Sequence, residues 1–396
     1  MRLLHVICST DPESGGPIEA LLRLSEVLLR DGHEVTVVSL ESPDEAAQRA
    51  FPFPVICLGR GFGRYRYNSR LTPWLREHAG KYDVVILHGL WNYSSFGAWR
   101  ALRNHRTPYY IFVHGMMDPW FRQEYPVKHL AKQLYWAIAE GRVLRDAKEV
   151  LFTSEEEKMR ARSAFVGHHF NERIVLLGTA DPGVDSAAQR AAFSAAFPAL
   201  KDKRILLYLS RIHPKKGCDL LLRAFAESVP QLPTDVDLVI AGPDPLGWVP
   251  ELRALARRLG IGARVHWPGM LKGALKWGAF RTAEAMILPS HQENFGLVVA
   301  EAMSCATPVL VSNKVNIWRE VDTSKAGFAA PDTLSGTRDL ILRFFALSPS
   351  ERALMASSAR AGFLRHFDAE AAGRNFARAI GFTGLQERNG VSVTSS

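Results

Sequence analysis

"RILLYLSRIHPKKG", Arg204 to Gly217, is the stretch from which the fold is read. A leucine-rich run of strand length ends in an arginine, turns at a proline, and reaches Lys-Gly where a helical pattern opens. A strand followed at once by a helix is the unit of a parallel sheet, because parallel strands need a crossover between them. The same theme continues downstream with "VDLVIAG", "ARVHWPG", "EAMILPS" and "TPVLVSN". It also precedes the stretch: "LLHVICS", "HEVTVVSL", "PVICL", "DVVILH", "PYYIFVH", "EVLFTS" and "RIVLL" read as strands, with helix-period segments such as Ile18 to Arg30 and Lys128 to Arg145 among them. A weakly patterned segment, "GTADPGVDSAAQ" from Gly178 to Gln189, separates the two series.

The chain has 396 residues, more than one ordinary core requires and enough for two domains of similar size. We therefore expect an α/β protein of two doubly wound domains, over residues 1–180 and 181–365, joined at that segment. Helices are expected at Leu334 to Ala346, Ser350 to Arg365 and Ala369 to Ile380, followed by a frayed "RNGVSVTSS". In such sheets ligands gather where the carboxyl ends of strands meet helix starts, and between two such domains a cleft is the natural site.

Hydrophobic residues at 47% and charged residues at 22% describe a globular chain rather than a disordered one. No apolar run reaches membrane-spanning length, and the opening "MRLLHVICSTDPES" turns polar too soon for a signal peptide, so a cytoplasmic location is expected. Cys8, Cys57, Cys218 and Cys305 form no CxxC pair and read as reduced, buried thiols. Thirteen scattered histidines lack ligand spacing, so no metal and no cofactor is expected. The basic excess is uneven: from Arg60 to Arg106 there are nine Lys/Arg against two Asp/Glu, interleaved with Phe62, Tyr65, Tyr67, Trp74, Trp91, Tyr93 and Trp99. Nucleic acid, anionic lipid headgroups, or plain solvation of a basic face would each fit that mixture.

Two stretches imitate ligand motifs. "GRGFG" at Gly59 to Gly63 follows a strand but is succeeded by Arg64 where a dinucleotide loop needs its third glycine, so a flexible basic loop is expected. "DVD" at Asp235 to Asp237 resembles a metal-binding carboxylate pair, yet lies at the entrance of a strand, away from the ligand edge.

Three stretches lie at that edge. In "STDPESGGP", Gly15 and Gly16 allow backbone amides to approach a ligand at a helix start, although a bare tight turn would look the same. In "SRIHPKKG", Arg211 and Lys216 flank one loop and suit a diphosphate, which takes a bidentate guanidinium and a point-charge ammonium; a solvated basic turn is the alternative. In "PSHQENFGLVVAEAMS", Gly296 lets the amides of Asn294, Phe295, Gly296 and Leu297 turn towards an anion. Glu301 is expected about two turns into the helix, placed to accept hydrogen bonds from a ribose, and Glu293 to face a sugar's hydroxyls. Glutamates are also common at helix starts for reasons of charge alone.

Together "SGGP" (Ser14 to Pro17), "HGMMDPW" (His114 to Trp120), "FTSEEE" (Phe152 to Glu157), "SRIHPKKG", "IAGPD" (Ile240 to Asp244) and "ENFGLVVAE" (Glu293 to Glu301) resemble the retaining nucleotide-sugar glycosyltransferases of family 4. Those enzymes have the GT-B architecture, two facing Rossmann-like domains with a central cleft. "HGMMDPW", "HQENFG" and "NIWRE" (Asn316 to Glu320) look most like the branch found in bacterial surface-polysaccharide gene clusters.

The resemblance implies a donor diphosphate on Arg211 and Lys216, a ribose on Glu301, and the transferred sugar and phosphates on Glu293 and the backbone of Asn294 to Leu297. It also implies His114 beside the reacting carbon and Gly15 and Gly16 near the donor or acceptor. The partners it implies are a nucleotide sugar linked to GDP or UDP and a saccharide acceptor, expected to be lipid-linked; no nucleic acid is expected. The basic aromatic region would then face an anionic membrane surface, with the protein peripheral on the inner face of the cytoplasmic membrane. In this architecture the last helix, within residues 366–382, returns to the first domain. One departure is "TADPGVD", where the family often has "PNGVD": the asparagine position is lost, although Asp185 remains. The rivals are a phosphorylase or nucleotide-sugar epimerase on the same architecture, and a polyanion-binding protein, which would leave both glutamates unexplained.

Overall fold

The computed structural model describes residues 1–11, 16–44, 51–119, 122, 126–183 and 187–382. They form two compact units, Met1–Gly178 together with the chain from Ala369, and Thr179–Asp368. In the first, seven parallel strands lie in the order β3-β2-β1-β4-β5-β6-β7. They are β1 (Arg2–Ile7), β2 (Glu34–Ser39), β3 (Val55–Cys57), β4 (Val84–His88), β5 (Tyr109–Phe112), β6 (Val150–Phe152) and β7 (Glu172–Ile174). Helices α1 (Gly16–Arg30), α2 (Leu71–His78), α3 (Tyr93–Leu102), α4 (Pro126–Tyr135), α5 (Gly141–Asp146) and α6 (Glu155–Ala161) intervene. Every residue of β4 and β5 is buried, as expected of strands covered on both faces.

The second unit has six parallel strands in the order β10-β9-β8-β11-β12-β13. They are β8 (Arg204–Leu209), β9 (Val236–Ala241), β10 (Val265–Gly269), β11 (Ala283–Leu288), β12 (Val309–Ser312) and β13 (Gly327–Ala330). Its helices are α7 (Ala187–Ala196), α8 (Cys218–Ser228), α9 (Val249–Arg258), α10 (Gly273–Thr282), α11 (Leu297–Ser304), α12 (Trp318–Thr323), α13 (Leu334–Ala346) and α14 (Pro349–His366). In both sheets the order reverses beside the first strand, β1 or β8, which opens a crevice at the carboxyl edge.

All twelve strand runs read from the sequence contain strands, and the three late helices lie where their patterns place them. β13 is an addition. "GFAA" lacks the β-branched residues that announce a strand, and Gly327 is there because a Cβ would stand 1.7 Å from the Val309 carbonyl oxygen of the neighbouring strand. Asp237 of the "DVD" stretch is buried at the start of β9 and paired with His266 Nε2 at 2.8 Å, a contact within the sheet. The "GRGFG" loop is closed: Phe62 and Tyr67 exchange backbone hydrogen bonds of 2.8 and 3.0 Å, and Asn68 Nδ2 donates to the Gly59 carbonyl at 2.8 Å. Asp185 lies outside the described residues.

The final helix, α15 (Ala369–Ala379), packs along α1, and Arg30 forms an ion pair with Glu370. Gly373 makes that approach possible, because a Cβ there would come within 2.3 Å of Val27 Cβ. Gly373→Val is expected to cost about 1–3 kcal/mol by overpacking. A urea midpoint equal to that of the parent chain would show that α15 is not seated on α1 in solution.

Candidate active site

The carboxyl edge of the second sheet is built from tightly apposed backbone. Ser210 N–H donates to the Ala241 carbonyl (3.1 Å), Ile212 N–H to Pro243 (2.9 Å), and Gly242 N–H to Gly269 (2.9 Å), so the turns after β8, β9 and β10 are tied together. At Gly242 a Cβ would lie 1.8 Å from the Ser210 carbonyl oxygen, which no side chain tolerates. Tyr208 Oη donates to the Arg211 carbonyl at 2.9 Å and fixes the start of the first turn. A cavity of about 350 Å³ opens here, lined by Ser210, Arg211, Gly242, Met270, Lys272 and Lys276 among others. Three of those residues are cations, so the cavity is chemically an anion site.

Arg211 is exposed and its guanidinium has no hydrogen bond or ion pair among the described residues. Lys216 is placed differently. The turn Pro214–Lys216 is capped by His213 Nδ1, which accepts from Lys215 N–H at 3.1 Å, and is closed by Gly217 in the left-handed region at φ 69°. A Cβ on Gly217 would stand 2.4 Å from the Pro289 carbonyl oxygen. The turn therefore lies against the loop after β11, where His291 N–H donates to the Lys215 carbonyl at 2.8 Å. Lys216 is buried by that contact and its Nζ is paired with the Glu293 carboxylate.

Glu293 is held by its backbone as well: its N–H donates to Lys314 and its carbonyl accepts from Asn316 N–H, both at 3.0 Å. Asn294 is half-buried and its Oδ1 accepts from Asn316 Nδ2 at 3.4 Å, while Phe295 is buried edge-on to Phe367. Gly296, at φ 81°, is the cap from which α11 starts at half-buried Leu297. Glu301 therefore sits just over one turn into the helix, at about 1.5 Å of rise per residue, rather than the two turns expected. The helix starts later than the apolar run suggests because Gly296 takes a conformation that α11 cannot include. Glu301 is buried and its Oε1 accepts from Lys276 Nζ at 2.7 Å. The structure thus brings Arg211 and Lys276 to one cavity, pairs Lys276 with Glu301 behind it, and joins Lys216 to Glu293. Lys276 was not singled out from the sequence; its signal is a lysine one turn into the helix that follows β10.

His114 belongs to the first unit, where three histidines on or just after the neighbouring strands β1, β4 and β5 form a chain. His114 Nε2 lies 2.9 Å from His88 Nδ1, His88 Nε2 lies 2.8 Å from His5 Nδ1, and His5 Nε2 lies 3.1 Å from Ser25 Oγ. Burial pushes the pKa of His5 and His114 down to about 3 and that of His88 well below its ordinary value. Each imidazole is therefore neutral, with one donor and one acceptor nitrogen, so the tautomer of His114 is coupled to those of His88 and His5. His114 itself sits at φ 49°, and the following Gly115 N–H donates to buried Glu157, whose other oxygen accepts from Thr153 N–H at 2.6 Å and Thr153 Oγ1 at 2.7 Å. "FTSEEE" thus serves as the anchor of the "HGMM" turn. Buried Glu41 does the same for the loop after β1, accepting from Ser9 Oγ at 2.7 Å and Thr10 N–H at 2.6 Å. Gly16 opens α1, and Gly15 lies outside the described residues.

The basic aromatic region differs from its expected role. Tyr93 and Trp99 are in the core, and Tyr65, Trp74 and Trp91 pack against it; of the seven aromatics only Phe62 and Tyr67 are well exposed. The aromatics fold inward because α2 and α3 need them to cover the sheet, which leaves a basic surface without the aromatic belt a membrane face would use.

Two α/β units with strand-order reversals, the second carrying a cationic pocket beside two anchored glutamates, have the form of a GT-B protein. Residues 15–178 match the glycosyl transferase 4-like domain and residues 189–351 match the glycosyl transferases group 1 domain. Each unit thus matches one of two glycosyl transferase domain models, in the order first 4-like, then group 1.

A D-inositol 3-phosphate glycosyltransferase of Streptomyces avermitilis is 30% identical over 311 residues, covering 73% of this chain and 63% of the relative. A protein of the same name from Streptomyces scabiei is 29% identical, covering 74% and 66%. The chain thus spans somewhat less than two thirds of those relatives. Among solved structures, Anabaena HepE in complex with UDP and glucose superposes with a TM-score of 0.75 at 20% identity, covering 97% of this chain and 100% of that one. Sucrose-phosphate synthase from Thermosynechococcus elongatus superposes with a TM-score of 0.75 at 22% identity, covering 96% and 98%. These likenesses are of fold.

The histidine chain sets a pH dependence. A histidine whose folded pKa is depressed stabilises the fold fully above the unfolded value near 6.5 and progressively less as pH falls towards 3. Glu140, raised to about 7 by burial, works in the opposite direction and offsets one histidine. From pH 6.5 to 5 the net loss for His5 and His114 against Glu140 is up to about 2 kcal/mol, and His88 acts in the same direction. Urea unfolding at the two pH values checks this, and a midpoint that does not fall would mean that the three imidazoles are not held neutral.

Proposed function

We propose that this chain transfers a sugar from a nucleoside-diphosphate sugar to a hydroxyl acceptor with retention at the anomeric carbon. The observation that carries the reading is the cationic cavity at the ends of β8 to β10, with Arg211 unengaged and Lys276 oriented by Glu301. Departure of a nucleoside diphosphate builds negative charge on phosphate, and fixed cations stabilise it best when they need no rearrangement. An ammonium has three donors, so Lys216 and Lys276 can each spend one on a carboxylate and keep others for phosphate or sugar oxygens. We assign Arg211 and Lys216 to the diphosphate with Lys276 beside them, Glu301 to the ribose, and Glu293 with the backbone of Asn294, Phe295, Gly296 and Leu297 to the sugar. His114 keeps the sugar-facing role that the resemblance implies, and Gly16 with Gly15 the loop near the donor or acceptor. No step in this reading calls for a metal or a separate cofactor.

For the acceptor, the motif resemblance favours a lipid-linked saccharide, as in bacterial exopolysaccharide or lipopolysaccharide assembly on the cytoplasmic side of the membrane. The relatives' name supports a second reading, a phosphorylated cyclitol as acceptor. Release of nucleoside diphosphate from UDP- and GDP-sugars, measured with each acceptor class, separates the two. NMR of the product anomer tests retention, and an inverted product would contradict the proposal.

Arg211→Ala and Lys216→Ala are each expected to lower turnover about 10²–10³-fold, as loss of one preorganised charge does. Arg211→Ala should leave the thermal midpoint in place. Lys216→Ala should also lower it, because Glu293 loses its partner beside a buried loop. Near-normal turnover in both variants would remove the assignment.

A further inference from the structure

We propose that Ser25 of α1, acting through His5 and His88, sets the direction of the histidine chain, so that His114 offers an N–H donor at the carboxyl edge of the first sheet. A neutral imidazole has one donor and one acceptor nitrogen, so a row of them can run in only two ways. In one, Ser25 donates to His5 Nε2, His5 Nδ1 to His88 Nε2, and His88 Nδ1 to His114 Nε2. In the other, every one of these hydrogen bonds is reversed. The first leaves a proton on His114 Nδ1, and the second leaves a lone pair there.

The hydroxyl decides between them. Ser25 is fully buried, and among the described residues its side chain has one hydrogen-bond partner, His5 Nε2 at 3.1 Å. Two other buried helical serines give their proton to a main-chain carbonyl instead: Ser228 to Ala224 and Ser304 to Glu301, both at 2.7 Å. Ser25 makes no such bond among the described residues. With its hydroxyl as donor, every polar hydrogen from Ser25 to His88 has an acceptor. With its hydroxyl as acceptor, its own proton is left unpaired in the core, where a lost hydrogen bond is not replaced by water.

Nothing else among the described residues orients the rings. No carboxylate is bonded to any of the three, and His5 and His88 are buried. The rings of His88 and His114 lie nearly parallel, 14° apart at 5.2 Å between centroids, and Phe112 packs against both at 5.7 and 5.3 Å. His114 is half-buried and follows β5, so the chain ends at the edge where ligands of such sheets gather. An Nδ1–H there takes an oxygen acceptor, either a sugar hydroxyl or an anionic oxygen. It cannot take the proton of an incoming hydroxyl, because the basic nitrogen, Nε2, is occupied by His88. What the donor meets rests on the sugar-facing role proposed for His114, whereas the direction of the chain rests on Ser25 alone. Ser25, His5 and His88 are therefore positioning residues.

The test is nitrogen-15 NMR of the full chain labelled at histidine, near pH 7, where imidazole nitrogens with and without a proton resonate far apart. The His114 signals are identified by their loss in His114→Asn. The parent chain is expected to show a proton on His114 Nδ1 and a bare Nε2. In Ser25→Ala the preference for one direction is lost, so the two His114 signals should move towards each other as the tautomers mix. Alanine fits the space and favours a helix, so the variant should fold and keep the parent's affinity for UDP or GDP, whose proposed cations belong to the second sheet. A proton on His114 Nε2 in the parent chain would overturn the proposal, and so would His114 signals that Ser25→Ala leaves in place. Failure of the parent chain to turn over any nucleotide sugar, with the expected tautomers observed, would instead remove the sugar-facing role and leave the direction of the chain standing.

Discussion

Backbone packed against backbone, with no room for a Cβ, is the constraint on which the candidate site depends. At Gly217 and Gly242 the neighbouring carbonyl oxygens stand where a side chain would begin. These contacts bring the turns after β8, β9, β10 and β11 close enough for charges from distant parts of the sequence to meet. Lys216 and Glu293 are 77 residues apart, and Lys276 and Glu301 are 25 apart. The sheet supplies the edge, the glycines allow the turns to close on it, and only then does the charge pattern exist.

That pattern is balanced rather than simply positive. Each glutamate holds a lysine, which fixes the ammonium without a ligand and lowers the cost of keeping a carboxylate in a partly buried loop. Arg211 lacks such a partner among the described residues, so it is the cation readiest to take a ligand. The first unit uses the same device differently: buried Glu41 and Glu157 collect backbone N–H donors and so hold the loops after β1 and β5 in place. Glu41, Glu157, Glu293 and Glu301 thus act alike, each holding a neighbouring backbone or ammonium group in place.

The fold was largely legible because a doubly wound sheet writes itself as buried runs alternating with helical stretches. β13 was not, since its place comes from Gly327 fitting over Val309 and not from strand-forming side chains. In the candidate site, Arg211, Lys216 and Glu293 could be named because they lie in glycine- or proline-bearing turns after strands, and Glu301 because it lies in the helix that Gly296 opens. Lys276, His5 and His88 could not, nor could the partners of His114 and Glu157, because what marks them is pairing between distant residues, which periodicity does not record. The Arg60 to Arg106 region misled for a related reason: composition shows that aromatics are present, but not which way they face.

The central claim is that the diphosphate of the donor sits on the cations at the ends of β8 to β10. Calorimetric titration of UDP and GDP into the parent chain and into Arg211→Ala measures this without turnover. The account predicts saturable binding of at least one nucleotide and a loss of affinity of about tenfold or more in the variant, the equivalent of one charge-assisted hydrogen bond pair. Equal affinity in the two proteins would contradict it.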